Sequence, residues 1–426
     1  MDDTIPEHVE GTIGDPDHEL GDDAAIHTEL GSQLGDGDER EEGDDDYCSE
    51  VDEISKTSEE IREEEVNELE NFSFPDTPEP EEDPSGRLAY KKKCEEFDFY
   101  LFPVNSVVQK FDLEVLSLAH AGLGDKGAIA LAESLKVNSR IHDLCVLDNW
   151  ITPRGGQALL EAIKQNDSIT KLDLSENRLG YRAGQVDHHT IGETLRDVLL
   201  ENKTLKAISL RSNKFGDGDI CQVASGLSEN FSLHVMDMSY NELGPRAGEA
   251  IGTMLNSNGD LTELNLEWNQ LRNEGTMFVL DGLKNNNTLK MVSIAWNGVS
   301  DKGGVAVGEV LQTNTSLEEV DVSHNRIAGV GAARIAQGIA ENATIRRLIL
   351  ANNPLGDEGC AKVVTAIGDN QSLVFVDLKS TESGHEAATA IMETYTKREG
   401  TVEIHIPRSA FVPGRAGGRR RTLVPS

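Results

Sequence analysis

The sequence predicts an α/β solenoid of about ten strand–helix units of 28 residues, with parallel strands on the concave face and helices on the convex face. Three observations predict it. An apolar pattern returns at a fixed period. Each period divides into a half with alternating apolar residues and a half with helical spacing. An asparagine recurs at one position of the unit.

The pattern Leu-x-x-Leu-x-Leu-x-x-Asn-x-Leu begins at Leu113, Ile141, Ile169, Leu205, Leu233, Leu261, Leu289, Leu317, Ile345 and Leu373. Every step is 28 residues except that from Ile169 to Leu205, which is 36. Internal similarity at such a period is the mark of a stacked repeat, since one unit cannot bury its own apolar face. An eleventh half-unit follows, with Thr401, Ile404 and Ile406 in register and Pro407 ending the strand.

The first half of each unit alternates, as in Leu264 and Leu266 or Val320 and Val322, which is a short strand with one buried face. In the second half, positions 19 and 23 are apolar or aromatic throughout, from Leu131/Leu135 to Ile391/Tyr395. A spacing of four places them on one helix face. The pair Leu195/Leu199 keeps this register only if the extra residues lie within Gly180–Gly192. At position 9 stand Asn149, Asn177, Asn213, Asn241, Asn269, Asn297, Asn325 and Asn353, with Ala121 and Thr381 in the end units. A buried amide there is expected to bond the turn leaving the strand, in its own repeat and the next.

The expected organisation is a disordered acidic tail over 1–86, an N-terminal helical cap over 87–112, the repeats over 113–406 and a basic flexible tail over 407–426. In the cap, Tyr90, Cys94, Phe97 and Leu101 are spaced to cover the first repeat, and Pro103 and Val104 open a second helical turn. Residues 1–90 hold 33 acidic and 4 basic residues, so 29 of the 37 net negative charges lie there. Such a segment is too poor in apolar surface to offset ordering entropy. Ser49 and Thr57 each have an acid three residues on, the spacing acidophilic kinases favour. The C-terminal tail carries Arg408, Arg415, Arg419, Arg420 and Arg421.

The unit, seen at Leu233–Gly248 as LHVMDMSYNELGPRAG, resembles the ribonuclease-inhibitor-like class of leucine-rich repeats. The wider layout resembles the leucine-rich repeat-containing protein 74 family: an acidic leader, a helix with Tyr90 and Cys94, and the Pro103-Val104 step before the first repeat. The resemblance covers about residues 113–406 and implies a horseshoe and an intracellular scaffold role, with no chemistry. The many cysteines of ribonuclease inhibitor are missing here, so its thiol sensitivity is not implied.

Charge argues against nucleic-acid binding, which needs a basic face, and against anionic membrane surfaces. Met1 is followed by Asp2 and Asp3 rather than a basic, then apolar, leader, and no apolar run reaches membrane-spanning length. The five cysteines are widely spaced with no Cys-x-x-Cys pair, which fits free thiols in a reducing, cytoplasmic compartment and no zinc site. Gly122-Leu123-Gly124-Asp125-Lys126-Gly127 matches a dinucleotide fingerprint, but Leu355–Gly359 repeats the feature, so it reads as the unit's own turn. Seven Asn-x-Ser/Thr sequons, at Asn166, Asn202, Asn230, Asn286, Asn314, Asn342 and Asn370, follow the repeat period and read as turn residues. Asp187, His188 and His189 supply too few ligands for a metal site. No cofactor is expected.

Function is expected on the concave face, at positions 3, 5, 7 and 8. Position 8 reads His120, Asp148, Glu176, Ser212, Tyr240, Trp268, Trp296, His324, Asn352, Ser380. Tyr240, Trp268, Trp296 and His324 are consecutive and should form one stripe, with Asp237, Glu263, Glu267, Glu319 and Asp321 around it. Aromatic hot spots in an acidic surround suit a basic protein partner. The same residues also fit plain packing, Asp at position 5 being part of the repeat pattern. The Gly180–Gly192 loop is a second candidate, as an insertion in a solenoid. The leading expectation is a non-enzymatic protein-binding scaffold. One alternative is a GTPase-activating protein of the Ran-directed type, with Arg182 or Arg211 near the strand exits. The other is a cytoskeletal or axonemal capping protein.

Overall fold

The computed structural model describes residues 83–97, 107–180 and 190–406, all within a compact unit running from Glu79. Helix α1 (Arg87–Glu96) precedes strand β1 (Val115–Ser117). Then follow α2 (Gly124–Leu135), β2 (Asp143–Cys145), α3 (Pro153–Gln165), β3 (Lys171–Asp173), α4 (Ile191–Glu201), β4 (Ala207–Ser209) and α5 (Asp217–Ser228). The centre comprises β5 (Val235–Asp237), α6 (Pro245–Leu255), β6 (Glu263–Asn265), α7 (Arg272–Asn285), β7 (Met291–Ser293), α8 (Asp301–Thr313) and β8 (Glu319–Asp321). Last come α9 (Gly329–Glu341), β9 (Arg347–Ile349), α10 (Gly356–Asp369), β10 (Phe375–Asp377), α11 (His385–Lys397) and β11 (Glu403–His405). The strands form one parallel sheet in strict sequence order, with position 3 of each unit opposite position 3 of the next. Among the described residues, helices pack only on their neighbours in the chain. This is the α/β solenoid that the period predicts.

Burial follows the pattern. Positions 4 and 6 of the strands, such as Leu264 and Leu266, are closed from solvent, as are the helix pairs such as Leu159/Ile163 and Val279/Leu283. Leu195 and Leu199 are buried in α4, in the register expected if the extra residues precede them. Residues 181–189, including Arg182, Asp187, His188 and His189, lie outside the described residues, as do 1–82, 98–106 and 407–426. After that gap α4 opens with its own capping box: Thr190 accepts from the Glu193 N–H, and the Glu193 side chain accepts from the Thr190 N–H.

Two buried amide ladders hold the turns. Asn177 (position 9) donates to the carbonyls of Val146, Leu174 and Ser175, and accepts from the N–H groups of Asn149 and Ile151. The bridge therefore runs to the preceding repeat, not to the following one as expected from sequence. The preceding turn is the one left with open N–H groups. In the tenth unit, Thr381 replaces the amide: its hydroxyl donates to its own Leu378 carbonyl and accepts from the Cys360 thiol of the preceding repeat. The second ladder is position 26. Asn166 donates to Leu135 and Asn138 carbonyls and accepts from Ser168 and Ile169. All seven sequon asparagines lie in this ladder and are buried. Arg398 takes the same position in the tenth unit and donates to the carbonyls of Ile367, Asn370 and Leu373.

A third set of bonds ties one helix to the next. Asp125, at position 13, accepts from Thr152 and Gly155 at the start of α3. Asp217 does the same for Gly244 and Ala247, Asp301 for Ala328 and Gly331, and Asp357 for Gly384 and Ala387. These are N-caps supplied from the preceding repeat. In α3 the approach is close, since a Cβ on Gly155 would sit 2.6 Å from the Asp125 carboxylate, while Ala247 and Ala387 fill the equivalent position in α6 and α11. At the N-terminal end α1 buries Tyr90 and Cys94, and Tyr90 meets Phe111 edge to face at 5.5 Å. Asn138 extends its ladder to the Ser85 and Phe111 carbonyls, fastening this segment to the first repeat.

Candidate protein-binding site

The site begins with a backbone feature. All ten residues at position 8 have φ between 50° and 57°. From His120 to Asn352 each N–H there still donates to the position 7 carbonyl of the following repeat, as Trp268 does to Ala295 at 2.9 Å. The ladder is thus continuous while the chain turns out of the strand. This left-handed conformation favours Gly, Asn and Asp. Histidine is also enriched there, so backbone preference can account for His324 but not for Tyr240, Trp268 and Trp296.

These four side chains form one stack. Tyr240 lies parallel to Trp268 at 5.3 Å between ring centres, Trp268 is tilted by 41° against Trp296 at 4.3 Å, and Trp296 stacks on His324 at 4.2 Å. The Arg211 guanidinium covers the outer face of Tyr240, 3.8 Å from its centre, and is anchored on the Ser239 hydroxyl. At the far end, His324 Nε2 meets the Asn352 amide at 3.0 Å. Ring faces are thus used within the stack. Trp268 and Trp296 nevertheless stay 44% and 41% exposed. Sequence reasoning brought the four aromatics together but missed Arg211 and Asn352 as end pieces of the same column.

The five predicted carboxylates stand around the stack in different states. Asp237 and Asp321 each accept from the N–H two residues on, closing a local turn. Burial pushes the Asp321 carboxyl above its ordinary value, against the lowering by its bonds to Ser323. Glu267 accepts from the Tyr240 hydroxyl at 3.3 Å. Glu319 pairs with Arg347 at 2.9 Å, and Arg347 in turn covers Phe375. Glu263 is exposed. Ser293 lies between Asn265 and Asp321 in the position 5 row, and its hydroxyl is buried without a partner among the described residues. Across repeats 5 to 8, positions 3, 5, 7 and 8 hold these five acids and no Lys or Arg. The centre of the concave face is therefore acidic and aromatic, bounded by Arg211 on one side and Arg347 on the other.

A groove of about 610 Å³ opens along the strand-exit rim beside the stack, where Tyr240 and Trp268 form one wall. Its other aromatic is Trp150, 63% exposed, at position 10 of the second repeat. Sequence reasoning passed over Trp150 because it sought exposed residues only at positions 3, 5, 7 and 8. No group of three or more His, Cys, Asp or Glu side chains able to hold a metal is found among the described residues. No helix among them is long and apolar enough to cross a membrane.

A family model described as Leucine Rich repeat matches residues 109–132, 257–278, 285–308, 313–336 and 341–364. The chain is built of leucine-rich repeats. Similar solved structures include leiomodin-1 actin-binding site 2, 17% identical, covering 35% of this chain and 90% of that one with a TM-score of 0.30. Another is the tropomodulin C-terminal domain of Caenorhabditis elegans, 20% identical, covering 36% of this chain and 95% of that one with a TM-score of 0.31. No curated protein matches the chain. On this leucine-rich-repeat domain, then, the exposed aromatic stack occupies repeats 5 to 8, and the fold is one that typically serves protein interaction.

Proposed function

We propose that the protein is a non-enzymatic intracellular scaffold whose leucine-rich-repeat horseshoe grips a basic protein partner with the centre of its concave face. The observation that carries this is the stack itself. Four aromatic rings stand in four consecutive repeats at a position whose backbone does not favour Tyr or Trp, and the two tryptophans remain exposed. Large rings in a preorganised row contribute binding energy at low entropic cost, and the five surrounding carboxylates favour a cationic partner surface. A ribonuclease-inhibitor-like subtype, akin to the leucine-rich repeat-containing protein 74 family, is our reading of the 28-residue period and the Leu-Gly turn.

The test is the double variant Trp268→Ala/Trp296→Ala. Partner capture by crosslinking should fall at least tenfold against the parent chain while the melting curve is kept. Loss of folding together with capture would instead make the stack a packing device. In the Ran-directed reading Arg211 would have to leave Tyr240 and Ser239 to reach a nucleotide, and a single-turnover GTP hydrolysis assay measures that directly. Co-sedimentation with actin filaments and microtubules measures the capping alternative.

A further inference from the structure

We propose that the strand-exit groove is a second binding site, which takes an extended segment of a protein partner with an arginine or lysine seated on the open face of Trp150. Two aromatic rings on the concave side already carry a cation from the chain itself: Arg211 on Tyr240 at 3.8 Å and Arg347 on Phe375 at 4.3 Å. Trp150 carries none. Among the described residues no ring and no cation stacks on it, although it is the most exposed of the three tryptophans. An indole face is the strongest of the aromatic acceptors for a cation.

The surroundings select the charge. Asp148, two residues before Trp150, and Glu176 in the adjacent repeat line the same groove, with Glu242 farther along. Asp148 is partly engaged by His120 at 2.9 Å, while Glu176 is exposed at the rim. Arg178 lines the groove as well, and a peptide carbonyl oxygen is its natural counterpart. From the second repeat to the sixth there are four strand spacings, roughly 20 Å, which is about six residues of extended chain. The groove ends on Tyr240 and Trp268, so it runs directly into the aromatic stack. A segment lying there leads onto the concave centre without a gap.

The chain's three tryptophans make the test site-specific. In the full chain labelled with 15N at tryptophan, the indole resonances are assigned with single Trp→Phe variants. The probe is the acetylated, amidated hexapeptide Ser-Gly-Arg-Gly-Ser-Gly, titrated beside the same peptide with citrulline in place of arginine. The Trp150 signal should shift with the arginine peptide and not with citrulline. Its apparent affinity should fall at least fivefold in Glu176→Gln/Glu242→Gln, with unchanged Trp268 and Trp296 signals reporting an intact fold. A Trp150 signal that does not move at millimolar peptide, or that moves equally with citrulline, overturns the proposal. Neither result depends on Trp268→Ala/Trp296→Ala, so the concave site stands or falls separately.

Discussion

Positions 8 and 9 are adjacent in the chain, yet they are governed by different demands. Position 9 holds asparagine in eight of ten repeats and is buried, its amide joined to two successive turns. Position 8 holds seven residue types and stays at the surface, in one backbone conformation throughout. The fold dictates the first column almost completely. In the second it dictates only φ, and the side chain is left to whatever the concave face meets. The central run of Tyr240, Trp268, Trp296 and His324 is therefore a property of this protein's surface, whereas the asparagines are a property of its architecture.

The comparison breaks most severely if position 9 proves dispensable. Asn269 donates to the Met238, Leu266 and Glu267 carbonyls and accepts from the Leu243 N–H. Asn269→Ala leaves that buried N–H unpaired and strips donors from three carbonyls. The expected loss is about 3 kcal/mol, at ~1–3 kcal/mol for each buried polar group left unsatisfied. Urea denaturation measures it. A smaller loss belongs to the caps. Asp357→Ala removes acceptors for the Gly384, Glu386 and Ala387 N–H groups and should cost about 1 kcal/mol. Desolvation raises the Asp357 carboxyl, but its three backbone donors hold it below the ordinary value overall. Its contribution is therefore complete above the unfolded carboxylate range and is lost as pH falls through the folded value. The difference between Asp357→Ala and the parent chain should accordingly narrow in acid.

Position 8 should answer in the opposite way. Trp268→Asn gives up two ring contacts, each ~0.5–1.5 kcal/mol, but places a residue suited to positive φ where tryptophan is strained by about 1 kcal/mol. The relieved strain offsets part of the loss, leaving about 0–2 kcal/mol, and the melting temperature should move by only a few degrees. A loss as large as that of Asn269→Ala would erase the distinction between the columns.

What could be read in the sequence follows the same division. The strands, the helix pairs and the register after Ile169 were legible because each rests on residues repeated at one spacing, and Leu195/Leu199 alone fixed where the extra residues fall. The direction of the Asn177 bridge was not legible, since period alone does not say which neighbour lacks donors. Asp125, Asp217, Asp301 and Asp357 escaped notice because position 13 alternates with Pro153, Pro245 and Gly329, so no column stands out. Trp150 joins Tyr240 and Trp268 only across the rim of several coils, a proximity that no single repeat contains.

The finest test lies among the carboxylates around the stack, at Asp321. Its carboxyl is raised by burial, so the ionised form carries a cost in the folded chain. The folded state therefore binds protons more readily than the unfolded one, and this cost is present at neutral pH and disappears as pH falls below the unfolded value. Asp321→Asn keeps an oxygen for the Ser323 N–H and removes the charge. It should raise stability by a few tenths of a kcal/mol at pH 7, within the usual range for a substitution that breaks no packing. The gain should vanish in acid, where Asp357→Ala also loses its effect but from the opposite sign. Because Asp321 is one of the five concave carboxylates, the same substitution should weaken capture of a basic partner while strengthening the fold. If the proposed reading holds, the destabilising charge at Asp321 serves the partner, and Asp321→Asn separates the two roles in a single residue.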